Sequence, residues 1–361
     1  MDSAALRVAL ASTDDLGPTD NLFQSRLWAH FRMRTGASVH VVRLGAPNAR
    51  MMVQLEHQGD FTIAYVAAGP DVCVPQDGQG LFLEELSEQL RPQLSAEPLA
   101  VRYDLPWDSP YDDPAERPSA RVREIRMNFG TRRHRLHKAA TDRLAPDSVE
   151  VRIDRDESDL LAEMRPKTRY NVRLARRRGV TVTRADADLL PLWHELYEET
   201  ASRKGFRPQT LEYFRSLFDL AQNHRPDIRL YLAYGGSAQG RGNVRSACGP
   251  GVLGGIVVAH VGAVATYLYG ASAAERRDLM APYALQWHAM RDARNAGCSV
   301  YDLFGVPPAA DEGHPMYGLY RFKTGFGGTL VHRRGAWDYV YNPEVYGVYE
   351  AAEATGRGYY V

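Results

Sequence analysis

The stretch "GVLGGIVVAHVGAVATYLYGAS", residues 251–272, decides how this chain is read. No Asp, Glu, Lys or Arg occurs between Pro250 and Ala274, a length sufficient for a membrane-spanning helix. Glycine and β-branched residues dominate it, however, and His260 and Gly262 sit at its middle. That composition fits two β-strands joined by a tight turn near "AHVG" better than one apolar helix. The transmembrane reading is therefore rejected.

Working outward, "IRLYLAYG" (228–235) reads as a strand before this hairpin. A helix, "APYALQWHAMRDARNAG", and a strand, "SVYDLFGV", follow it, and two or three helices are expected between Asp156 and Asn223. The N-terminal half repeats that order. Its first helix, "NLFQSRLWAHFRMRTG", places Phe23, Leu27 and Phe31 on one face and stops at Gly36. The strands "SVHVVRL", "RMMVQLEH" and "FTIAYVAAGP" come next, then the helix "GLFLEELSEQLRPQL" and the strand "PLAVRYDLPW". The echo reaches individual letters: "YVAAGP" answers "YLYGAS", and "VRYDL" (101–105) answers "VYDLF" (300–304). One α+β unit used twice is the expectation, with domains at 1–150 and 151–334 and a tyrosine-rich tail, 335–361, completing the first. The region from Arg121 to Asp154 is read as a basic linker between them.

At 361 residues the chain exceeds one ordinary core, which agrees with two domains. Its 44 basic and 44 acidic residues balance, so the surface as a whole is not built to coat a polyanion. Cys73, Cys248 and Cys298 form neither a disulfide framework nor a zinc ribbon. His134 and His137 have a metal-like interval, but Arg132, Arg133 and Arg135 would repel a cation, so no metal is expected. The opening "MDSAALRVALASTDD" lacks the basic flank and apolar core of a signal peptide, and a cytoplasmic location is expected.

Against this balance, "MRPKTRYNVRLARRRGV" (164–180) holds seven arginines and lysines and no acid. Thr168 is read as the N-cap of a helix over 168–178 that Gly179 ends. Arg169, Arg173, Arg176 and Arg177 would then form one stripe, joined by Arg165 and Lys167, with Tyr170 and Leu174 anchoring the other side. Like charges four apart cost a few tenths of a kcal/mol each, so the cluster points to a phosphate-bearing partner. RNA and a diphosphate-linked substrate both qualify on this ground.

The stretches "RPKTRYNVRLARRRGV", "ELYEETASRKGFRPQTLEYF", "YLYGAS…APYALQWHAMRDARNAGCSVYDLFGV" and "GLYRFKTGFGG…GAWDYVYNP" resemble the Fem family of peptidoglycan-bridge aminoacyltransferases. The resemblance extends upstream through "FQSRLWAHF" and "VRYDLPW", in the family's order. It implies tandem acetyltransferase-like (GNAT-type) domains of the compact type without a coiled-coil arm. It also implies transfer of a small amino acid (Gly, Ala or Ser) from aminoacyl-tRNA to the stem-peptide amine of a peptidoglycan precursor. That precursor would be UDP-MurNAc-pentapeptide or lipid II, met in the cytoplasm or at the inner membrane face. The basic helix would hold the tRNA. Two rival readings are a tRNA-dependent peptide ligase with another amine acceptor and a non-catalytic RNA-binding module.

The resemblance also nominates residues. Lys323 in "RFKTGFGG" is implied to stabilise the oxyanion, and Asp104 to orient the acceptor amine or take its proton. Tyr267 and Tyr269, two apart on a strand and so expected on one face, would line the precursor channel with Tyr103 and Tyr213. Arg32 corresponds to a phosphate-contacting position. The family often has an arginine four residues before the tyrosine of "FRPQTLEYF"; Gln209 stands there, and Arg207 is the neighbouring substitute. No cofactor is expected, because the nearest diphosphate-loop match, "RRDLMA" (276–281), has Leu279 where glycine is required.

Overall fold

A computed structural model of the chain describes residues 6–45, 49–111, 113, 116–222, 227–235 and 251–355. The chain divides into two compact units: Met1–Pro146 with His332–Val361, and Asp147–Val331.

In unit 1, α1 (Arg26–Arg34) is capped by the Ser25 hydroxyl, which accepts from the Trp28 backbone N–H at 3.2 Å. Gly36, at φ +90°, lets the chain turn out of it. The strands β1 (Val8–Ala11), β2 (Ser38–Leu44), β3 (Ala49–Gln58) and β4 (Phe61–Val66) pair antiparallel in that order. Helix α2 (Gln79–Leu90) then crosses over, and β5 (Ala100–Asp108) returns parallel to β4. β1, at the sheet edge, has no counterpart in the sequence reading; its four residues are too few to show a period.

The expected linker is a structured part of this unit. It contains α3 (Ala120–Met127) and β6 (Leu136–Lys138), and its first basic residues sit on α3. Its last part is β7 (Asp147–Arg152), the first strand of unit 2.

Unit 2 repeats the plan. Helices α4 (Glu157–Glu163) and α5 (Pro166–Arg177) lead to β8 (Val180–Ala185), which the sequence reading missed. Helices α6 (Leu190–Lys204) and α7 (Leu211–Ala221) follow, then β9 (Asp227–Gly235), β10 (Val252–Val261) and β11 (Val264–Ser272). The hairpin of the uncharged stretch is thus real, with Gly262 at φ +55° in its turn. All ten residues of β10 are buried, which is why no charge interrupts it. Among the described residues no helix is long and apolar enough to cross a membrane. Helix α8 (Ala281–Asn295) carries the chain to β12 (Val300–Asp302), parallel to β11. The short helix α9 (Tyr317–Lys323) precedes β13 (Thr329–Val340).

From His332 onward the chain belongs to unit 1 again: β13 pairs with β5 and with β6, and α10 (Pro343–Thr355) buries Tyr346 and Tyr349 against Ile63 and Leu99. A fully buried Arg102 on β5 clamps this return. It donates two hydrogen bonds to Asp338 of β13, at 2.7 and 2.6 Å, and two more to Glu353 of α10. Among the described residues, neither Cys73 nor Cys298 is in a disulfide; Cys248 lies outside the described residues.

Candidate functional site

The basic helix begins two residues earlier than its sequence implied. Pro166 occupies the first turn, where its fixed φ suits a helix, and Arg165 before it is extended (ψ 144°). Thr168 is therefore not a cap. It lies inside α5 on the buried face with Asn171, Val172 and Ala175. Tyr170 does not anchor that face either: it is 55% exposed, with the Arg177 guanidinium 5.5 Å from its ring centre. Arg169 leaves the expected stripe, donating to the carbonyls of Leu161 and Ala162 at the end of α4. Arg165, Lys167, Arg173, Arg176 and Arg177 remain exposed, and among the described residues no carboxylate pairs with them.

The buried face of α5 meets the loop that carries Lys323. A Cβ on Gly325 would come within 2.2 Å of the Thr168 hydroxyl, and the Arg165 N–H donates to the Gly325 carbonyl at 2.9 Å. Only glycine permits that approach. Lys323 ends α9 and is 5% exposed. Its ammonium donates to the carbonyls of Phe304 (3.1 Å) and Gly305 (2.8 Å) and lies 5.3 Å from the Tyr267 ring centre. Burial pushes its pKa from 10.5 down to about 7, and the Asp302 charge opposes the fall. Tyr267 and Phe322, the residue before Lys323, line a cavity of about 100 Å³ together with Gln286 and Ser272.

Tyr267 and Tyr269 do not share a face. Val257 pairs with Tyr269 and the next residue, Val258, with Tyr267, so Leu268 is an extra residue bulged out of β11. That one-residue insertion reverses the alternation. Tyr267 packs with the core beneath α8. Tyr269 joins an aromatic cluster with Tyr197, Phe214 and Tyr213, and its hydroxyl lies 2.9 Å from that of Tyr213. Arg207 is exposed in the α6–α7 connection, while the Gln209 carbonyl accepts from His194 at 2.9 Å.

Unit 1 carries the other nominated residues. Tyr103 is 0% exposed within the core, its hydroxyl 2.9 Å from that of Ser87. It is a packing residue, and a role in lining a channel is withdrawn. Alternation sends its neighbour Asp104 to the opposite face of β5. There one carboxylate oxygen accepts from the Tyr65 hydroxyl and from the Leu144 N–H (3.1 Å), and the other, Oδ1, is buried with no partner. Burial raises the Asp104 pKa from 3.8 to about 6, against the lowering effect of the Tyr65 hydrogen bond. Arg143 sits 4.6 Å from the Tyr65 ring centre and pairs with Glu56. Arg32 donates to Gln54 at 2.5 Å and lies 4.0 Å from Glu56.

Tyr65, Arg143 and Glu56 were not singled out from the sequence. The match of "YVAAGP" to "YLYGAS" aligns Tyr65 with Tyr267 and held a signal for the first; the other two had none.

These observations can be set beside known proteins. The FemAB family profile matches residues 15–235 and 247–354. The lipid II:glycine glycyltransferase of Staphylococcus aureus (strain USA300) is 26% identical over 273 residues, 59% of this chain and 65% of that protein, so the match spans just under two thirds of the relative. The crystal structure of FemX superposes with a TM-score of 0.75 at 18% identity, over 95% of this chain and 100% of that one. A tandem GNAT protein from the clavulanic acid biosynthesis pathway does so with 0.51 at 12% identity, over 94% and 99%. The repeated order of helix, three strands, helix and parallel strand is therefore a tandem GNAT-like fold, and the chain belongs to the FemAB family.

Proposed function

We propose that this protein transfers an amino acid from aminoacyl-tRNA to the stem-peptide amine of a peptidoglycan precursor, UDP-MurNAc-pentapeptide or lipid II. The acceptor nitrogen attacks the ester carbonyl carbon, the bond from that carbon to the ribose oxygen breaks, and the proton lost by the amine ends on the departing hydroxyl. No other energy source is required, because the ester is already activated.

The observation that carries the reading is Lys323. A buried ammonium whose hydrogen-bond partners are two backbone carbonyls, set against the ring of Tyr267 that lines a cavity, is a preorganised positive charge. Such a group stabilises the oxyanion of a tetrahedral intermediate more strongly than it would in water. The unpaired cations of α5, whose buried face packs on the same loop, suit the phosphates of the RNA. In unit 1, Asp104 is suited to hold a substrate ammonium and accept its proton, with one buried carboxylate oxygen that has no hydrogen-bond partner and a pKa raised to about 6. The family membership and the name of the staphylococcal relative agree with this chemistry and support lipid II as one acceptor.

The test offers purified protein a set of charged tRNAs with either UDP-MurNAc-pentapeptide or lipid II and follows precursor mass. Addition of one amino-acid residue mass, lost in Lys323→Met, is expected. No addition with any charged tRNA, or full turnover by Lys323→Met, would sink the reading. RNA binding without transfer would instead support a binding module.

A further inference from the structure

A cavity of about 660 Å³ lies in unit 1 and plays no part in the chemistry above. It is bounded by α3, the start of α2 and β13. Trp337 on β13 pairs with Tyr103 across the ladder and so shares its face, opposite that of Asp104.

Among the described residues, no acceptor meets the buried indole N–H of Trp337, which is 2% exposed, or the Nε–H groups of Arg334 and Arg123 at this cavity. Leaving such a donor unsatisfied is costly, so each calls for an acceptor that enters the cavity. The charge is unbalanced too. Among the described residues no carboxylate pairs with Arg334, Arg123 or Arg126: of the two that line the cavity, Asp142 is already held by Lys138 at 2.8 Å, and Asp77 pairs with none of the three. Desolvation without a counter-charge holds the Arg334 pKa below its usual value. At the rim, Ile125 is 63% and Phe129 83% exposed, an apolar surface beside the cationic interior.

The geometry points to a second ligand site in unit 1: an organic phosphate whose anionic end is held by Arg334, Arg123 and the Trp337 N–H, and whose apolar or aromatic end rests on Ile125 and Phe129. A phosphoryl group offers three acceptor oxygens and a charge that balances the guanidinium groups. A planar ring covers the exposed Phe129 face. This goes beyond the transfer reaction and uses none of its residues.

Calorimetric titration of the full chain with ADP, inorganic phosphate and adenosine tests the site. ADP is expected to bind most tightly, phosphate more weakly and adenosine not measurably. Arg334→Met should weaken ADP at least about tenfold without lowering the ligand-free Tm, because it removes an unpaired charge of similar volume. Trp337→Phe keeps an aromatic ring in the core and removes the donor; it should weaken ADP several-fold, and it decides the matter if the first variant does not fold. No saturable binding of ADP, or unchanged affinity in these variants, would overturn the proposal. So would Arg334-dependent binding of an RNA of about 20 nucleotides with none of ADP, since the cavity would then serve a nucleic-acid surface.

Discussion

Two buried ionisable groups, one in each copy of the repeated unit, contrast instructively. Asp104 lies on β5 in unit 1, and Lys323 ends α9 in unit 2. Both copies build the same framework, with the fourth strand parallel to the third: Val66 pairs with Tyr103 in one, Thr266 with Asp302 in the other. Burial drives the two groups in opposite directions, the acid up to about 6 and the amine down to about 7. Arg102, two residues from Asp104, shows the alternative. It is equally buried but fully paired with Asp338 and Glu353, which hold its pKa far above the usual value. A buried charge with matched carboxylates is a clamp; a buried charge given only neutral partners is poised to exchange a proton or meet a substrate.

The contrast breaks first at Lys323. Lys323→Met is expected to reduce kcat by about 100- to 1,000-fold, measured as precursor modified per unit time. Its lowered pKa means that its contribution to stability is present above pH 10.5 and lost as pH falls through about 7, a swing of up to about 5 kcal/mol. Denaturation midpoints between pH 7 and 10.5 should therefore vary less in Lys323→Met than in the wild type. An unchanged slope would show that the ammonium is not desolvated.

Asp104→Asn comes next, with an expected loss of roughly 100-fold in kcat. Here the raised pKa gives stability that is present below pH 3.8 and lost as pH rises through about 6. The amide should thus raise the unfolding free energy at pH 8 by up to about 3 kcal/mol, seen as a higher Tm, and leave it unchanged near pH 3.5. A lower Tm at pH 8 would contradict the burial argument.

Neutralising Arg173, Arg176 and Arg177 together with glutamine should weaken tRNA binding by roughly tenfold and lessen its logarithmic salt slope by about two. Equal affinity across salt concentrations would remove α5 from the RNA surface. The smallest effect is expected for Tyr65→Phe, which deletes the hydroxyl that Asp104 accepts from. The Asp104 pKa should rise further, so the acid limb of the pH–rate profile moves up while kcat at its plateau stays within about tenfold. A static profile would make Tyr65 a packing residue only.

Element order was legible because periodicity and turn residues are local: the uncharged stretch could not be a helix with Gly262 at its centre, and it is a hairpin. The missed pieces had weak local signals. β1 and β8 are short edge strands, and α3 and β6 were hidden in a run whose arginines read as a linker. The candidate site divides the same way. Lys323 and the exposed cations of α5 were identifiable from motif and charge. The opposite facing of Tyr267 and Tyr269 was not, since one bulged residue, Leu268, reverses a parity that sequence spacing alone predicts.

By itself, then, the amino-acid sequence determined the repeated α+β plan, the concentration of charge in 165–178 and the glycines around Lys323, since each depends on neighbours within a few positions. Only the tertiary structure decided which charges are buried, which are paired and which face one cavity. Desolvation and hydrogen-bond partners come from residues far apart in the chain, as Tyr65 and Leu144 meeting on Asp104 show.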